Sequence, residues 1–177
     1  MRKILAGLLP ILGLGGVAAQ PQSTLPAEVS SDLRSMVLGL TPKEIGLSQE
    51  SSAGSVWGVV METGMERGYY TLVVLADGTT SLYFSNGGGI IGAGEHESVR
   101  EASQEFLAAG NSSAHAAASA PSTAPPANGA TTFFFLTFDG LRSYTAPEGE
   151  LGEKRDQLAP LFHAGHAVIT QLRLAQP

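Results

Sequence analysis

The 177-residue chain contains no cysteine. That absence excludes disulfides, thiolate nucleophiles, thiolate metal sites and a lipid-modified N-terminal cysteine. Charge is sparse, at 15% of residues, and basic charge is scarcer still: 10 Lys and Arg face 16 Asp and Glu, a net charge of −6. No basic cluster overrides that balance locally, so neither nucleic acid nor anionic lipid is an expected partner. Aromatic residues make up 7%, with Trp57 the single tryptophan. The G-x-S-x-G elbow and the S-x-x-K motif of serine hydrolases are both missing. Long apolar runs are missing too. The run from Ile4 to Val17 spans about 14 residues, short of the roughly 18 that cross a bilayer as a helix.

That run nevertheless has a reading. Arg2 and Lys3 precede it, Val17-Ala18-Ala19 offers small residues for cleavage, and the polar stretch Gln20-Pro21-Gln22-Ser23 follows. This is the pattern of a secretory signal peptide over residues 1–19. Pro10 and the Gly13, Gly15, Gly16 cluster weaken the alternative of an uncleaved membrane anchor. Cleavage would leave 8 basic against 16 acidic residues, a net charge of −8. The expected protein is therefore exported, periplasmic or secreted, acidic, and without stable membrane insertion. With no disulfide to help, it must rely on its core.

Past a polar leader over residues 20–27, one α+β domain is expected over residues 28–177. Val29, Leu33, Met36, Val37 and Leu40 fall on one helical stripe, with Ser30 or Ser31 as N-cap. Thr41-Pro42-Lys43-Glu44 has the form of a capping box with Pro at the first helical position, ending at Gly46. Strands are expected at Ser55 to Glu62, Tyr69 to Ala76 and Thr79 to Ser85, the last two joined by the hairpin signal Asp77-Gly78. A second hairpin is expected at Thr131 to Phe138 and Leu141 to Ala146, joined by Asp139-Gly140. Helical spacing recurs at Ser98 to Ala109 and from Leu158 to Leu172. The result is a roughly five-stranded, mainly antiparallel sheet packed by two or three helices. The strands at Tyr69 and Thr131 are apolar on both faces, which calls for a cover on each side. The N-terminal helix or a partner subunit is expected to supply the second cover.

Residues 110–130 are Ala, Ser, Pro, Asn, Gly and Thr apart from His115. With little to bury, they read as a disordered internal loop. Asn111-Ser112-Ser113 within it matches a glycosylation acceptor.

Gly87-Gly88-Gly89-Ile90-Ile91-Gly92 satisfies G-x-G-x-x-G, a pattern that can bring backbone close to a pyrophosphate. The preceding strand belongs to a hairpin rather than a parallel unit, and Glu95 and Glu97 would repel a phosphate. The loop is therefore read as a ligand-binding candidate for some other molecule, comprising Ser85, Asn86, Gly87, Gly89, Gly92, His96 and Glu97. His96-Glu97 begins like a zinc-protease motif, but Arg100 takes the place of the second His. His163 and His166 are weak metal candidates without an anchored third ligand. No catalytic residue and no cofactor is assigned.

In element order, helix, three strands, helix, two strands, helix, the chain resembles small profilin-like and roadblock-like interaction domains, and no residue role is taken from that likeness. The leading expectation is an exported non-enzymatic protein that binds a protein partner or assembles with itself. The competing expectation is a small envelope enzyme or ligand-binding protein using the Gly-rich loop 87–97.

Overall fold

The computed structural model describes residues 26–51, 54–120 and 122–176. The expected signal peptide, residues 1–19, and most of the leader lie outside the described residues.

Helix α1 (Ala27–Gly39) is followed by a 3-10 turn, Pro42–Ile45. Strands β1 (Val56–Met65), β2 (Gly68–Leu75), β3 (Thr80–Phe84) and β4 (Gly89–Ile90) come next, then helix α2 (Glu97–Ser113). Strands β5 (Ala118–Ser119), β6 (Ala130–Thr137) and β7 (Gly140–Pro147) lead to a short helix α3 (Glu148–Gly152) and to α4 (Ala159–Leu174). The seven strands form one antiparallel sheet in the order β4-β3-β2-β1-β6-β7-β5. The α+β class is as expected, with seven strands and four α-helices among the described residues in place of five strands and two or three helices.

Both expected hairpins form, and Gly78 and Gly140 take φ of 93° and 114°, which a side chain resists. The capping box forms as well. Thr41 N–H donates to Glu44 Oε2 at 2.7 Å, and the turn ends at Gly46 in the left-handed region.

Two local expectations need correction, and three short elements lack a signal in the sequence. α1 begins at Ala27 behind Pro26, without a side-chain cap, rather than at Ser30 or Ser31. Ser30, Arg34 and Val37 are its buried residues, so Ser30 sits on the inward stripe one turn before Arg34 and packing keeps it inside the helix. The stretch 110–130, expected as a disordered loop, is partly regular. Residues 110–113 complete α2, β5 pairs with β7, and Asn128 bridges Gly64 of β1. The two-residue strands β4 and β5 carry no periodic signal, because pairing to the sheet edge alone makes them strands. Helix α3 follows Pro147 and ends in a turn with no apolar repeat to announce it.

Alternation along the strands builds two cores. Val59, Met61, Leu72, Val74, Phe133 and Phe135 face α2 and α4. α4 comes so close that a Cβ on Gly165 would lie 2.8 Å from Met61 Sδ and 3.1 Å from Phe106 Cε2. Trp57, Val60, Val73, Tyr83, Phe134 and Leu136 point to the opposite face. There α1 and the following 3-10 turn supply the cover through Leu33, Val37 and Ile45. Two long helices therefore protect one face, and one protects the other.

Candidate functional site

The residues expected around the Gly-rich loop divide into two groups. Ser85, Asn86, Gly87 and Gly89 form the tight turn after β3, where Gly87 N–H donates to Phe84 O and Phe84 N–H donates to Gly88 O. Ser85 Oγ accepts the Tyr69 N–H at 2.9 Å, which ties β3 to the start of β2. β4 then runs back antiparallel to β3 and carries Gly92, His96 and Glu97 to the far end of that strand. There Gly94 packs against the Gly78 carbonyl of the β2–β3 turn. The four steps from Thr80 to Phe84 alone cover roughly 13 Å. Ser85 and His96 thus sit at opposite ends of β3, and the Gly-rich run makes a hairpin rather than a strand-to-helix phosphate cradle.

His96 occupies the N-cap of α2 and is exposed, as is Glu97 in its first turn. Gly92 N–H donates to Ser81 Oγ at 3.3 Å. Beside it, Asp77, Glu95 and Arg100 line an open cavity of about 390 Å³. His163 is exposed on α4, whereas His166 packs on Phe162 with ring centroids 4.4 Å apart. Burial of the His166 ring lowers its pKa, with Glu148 acting against that shift and His163 adding to it. Among the described residues, no three His, Asp or Glu side chains come together as a metal site. Asn111, the first residue of the tripeptide that matches a glycosylation acceptor, uses its side chain structurally. Its Oδ1 accepts Val56 N–H at 3.1 Å and its Nδ2 donates to Val56 O at 3.3 Å.

The α1 face holds a polar cluster that sequence reading missed. Arg34 Nε donates to Glu62 Oε1 at 2.7 Å, and Nη2 donates to Glu62 Oε2 at 2.8 Å. Nη2 also donates to the Thr123 carbonyl at 2.6 Å, while Thr71 Oγ1 donates to Glu62 Oε1 at 2.9 Å. The guanidinium lies 5.4 Å from the Tyr69 ring centroid, within cation–π range. Glu62 is fully buried. Burial disfavours the Arg34 charge, but the hydrogen bonds and charge of Glu62 outweigh it and raise the Arg34 pKa. The available sequence signal was an arginine beside Leu33 and one turn before Val37, together with an acid inside an apolar strand.

Next to this cluster, α1 leaves part of the sheet open. A groove of about 250 Å³ runs between the helix and the β3–β4 edge. Leu33, Met36 and Leu40 form one wall, Val73 and Tyr83 the floor, and Ile91 the opposite rim. Met36 and Ile91 are 61% and 53% exposed, large apolar side chains at the border of the buried cluster. Burial, with the Glu62 charge adding to it, raises the Tyr83 pKa. Apart from the hydroxyls of Thr79, Ser81 and Tyr83, the residues lining the groove are apolar.

No protein-family model matches the chain, and neither does any curated protein or solved structure with which it was compared.

Proposed function

We propose that the chain is an exported, non-enzymatic binding domain that takes an amphipathic helix of a partner protein into the groove beside α1. The groove carries this reading. Its floor lies on β2 and β3 and its rim on the residue after β4, a width of roughly 10 Å at about 4.8 Å between strands, the diameter of one helix. A helix lying there would bury Met36 and Ile91 and give this face a second helix, as the opposite face already has. Met36 adds an adaptable side chain to the wall. The chain's charge of −6, or −8 without residues 1–19, favours a partner helix with basic residues on its outer face. The separation of Ser85 from His96 counts against a catalytic use of loop 87–97.

Binding of a synthetic Leu/Lys amphipathic helix of about five turns, followed by fluorescence anisotropy, tests the reading. The wild-type chain is expected to bind it saturably, and Met36→Asp with Ile91→Asp to weaken binding at least about tenfold, since two charges would enter an apolar contact. Equal binding by the two proteins would refute the groove. Alanine at His96 and Glu97 is expected to leave binding unchanged. An activity of the folded chain that this variant lost would instead establish the loop as the working site. Export is tested separately by the intact mass of the protein from its producing cell, expected to begin at Gln20.

A further inference from the structure

The groove beside α1 is apolar except along one line of its floor. Thr79, Ser81 and Tyr83 fall at alternate positions, share one face of the sheet and line the groove together. Tyr83 is only 3% exposed, and its Oη is buried without a hydrogen-bond partner among the described residues. Ser30 Oγ and Trp57 Nε1 are in the same condition, but neither of those residues lines the groove.

The surroundings of the phenol explain why it stays unpaired. Tyr83 pairs with Thr71 on β2, and Thr71 with Glu62 on β1, so the three stand in one row across the sheet. Glu62 is the acceptor in that row, and its oxygens are already engaged. Oε1 accepts Arg34 Nε at 2.7 Å and Thr71 Oγ1 at 2.9 Å, and Oε2 accepts Arg34 Nη2 at 2.8 Å. Arg34 itself can only donate. From α1, Leu33, Val37 and Leu40 border the groove, and their side chains accept nothing. An unpaired buried hydroxyl costs free energy that an acceptor entering the groove would regain.

We infer that Tyr83 sets the specificity of the groove, and that the partner helix carries one glutamine or asparagine among its apolar residues, whose carboxamide oxygen accepts the Tyr83 O–H. The inference rests on the helix-binding reading of the groove. The acceptor is a neutral one. A carboxylate would enter an apolar site in the row of Glu62, on a chain of net charge −6. Burial and then the Glu62 charge raise the Tyr83 pKa, so the field of that carboxylate reaches the phenol. Lys and Arg bring only donors. A carboxamide brings both kinds of group, and the hydroxyls of Thr79 and Ser81 on the same floor can accept its N–H.

A double-mutant cycle between Tyr83→Phe and the Leu/Lys helix tests it. Each central leucine of the peptide is replaced in turn by glutamine, and in a second series by glutamate. Tyr83→Phe deletes an unpartnered hydroxyl, so its fold is expected to be at least as stable as that of the wild type. At one peptide position, glutamine is expected to weaken binding less in the wild type than in Tyr83→Phe, by at least about fivefold, the worth of one neutral hydrogen bond. Glutamate at that position is expected to bind worse than glutamine. If the parent peptide binds and glutamine costs the same in both proteins at every position, the inference is overturned and the groove reading stands. Tighter binding of the glutamate peptide overturns the neutral acceptor. If no peptide binds the wild type, the groove reading fails and takes the inference with it.

Discussion

Tyr70 Oη stands 3.4 Å from His166 Nε2, joining β2 to α4 across the core. The His166 ring is held there between the tyrosine, 6.4 Å between centroids and near-perpendicular, and Phe162. Burial also pushes the Tyr70 phenol up to about 12. Burial therefore favours the neutral form of both side chains.

This makes stability pH-dependent in a definite direction. The folded-state pKa of His166 lies below its ordinary 6.5, with burial the largest cause. As pH falls through 6.5 the unfolded chain takes up a proton that the folded chain refuses, so stability drops until the lowered folded value is passed. His166→Phe keeps the ring packing and removes the titration. Its denaturation midpoint is expected to vary less between pH 7 and pH 5 than that of the wild type, as measured by urea unfolding. An unchanged slope would show that other groups carry the acid sensitivity.

Asn111 fastens the C-terminal turn of α2 to the first residue of β1. Replacing it with alanine removes an acceptor for Val56 N–H and a donor to Val56 O. A loss of about 1–3 kcal/mol is expected in chemical denaturation. Ser112→Ala and Ser113→Ala, made as controls within the same tripeptide, should change stability by less than about 0.5 kcal/mol.

Lys154 is the one non-glycine residue with positive φ among the described residues, at 61°. It stands one residue past the C-cap of α3, where Lys154 N–H donates to Leu151 O and Arg155 N–H to Glu150 O. That is the left-handed position of a Schellman closure, which favours glycine. Lys154→Gly should raise stability by about 0.5–1 kcal/mol. Lys154→Val, whose branched side chain tolerates the position least, should lower it. Thermal unfolding of the two variants side by side makes the comparison.

The residues that could be read in advance are those whose signals are local. Asp77-Gly78 and Asp139-Gly140 announce their hairpins because a two-residue turn needs positive φ. Thr41 and Glu44 announce their turn because the two ends of a capping box are three residues apart. The strands at Tyr69 and Thr131 disclosed a two-faced sheet because their alternation has no polar side. None of this needs a distant residue.

What tertiary structure alone decided is everything that depends on contact across the chain. Arg34 and Glu62 are 28 residues apart, and only burial turns two ordinary charges into an obligatory pair. Ser85 and His96, 11 positions apart, look like neighbours in sequence. The antiparallel return of β4 sets them at opposite ends of β3, because strand direction rather than sequence distance fixes which ends meet. The groove is of the same kind. Met36 falls on the apolar stripe of its helix in sequence, and the span of one helix over a wide sheet leaves it, with Tyr83 and Ile91, lining an open edge. Local sequence determined the long elements and which of their faces are apolar, while packing added the short strands β4 and β5 and decided which apolar faces remain open.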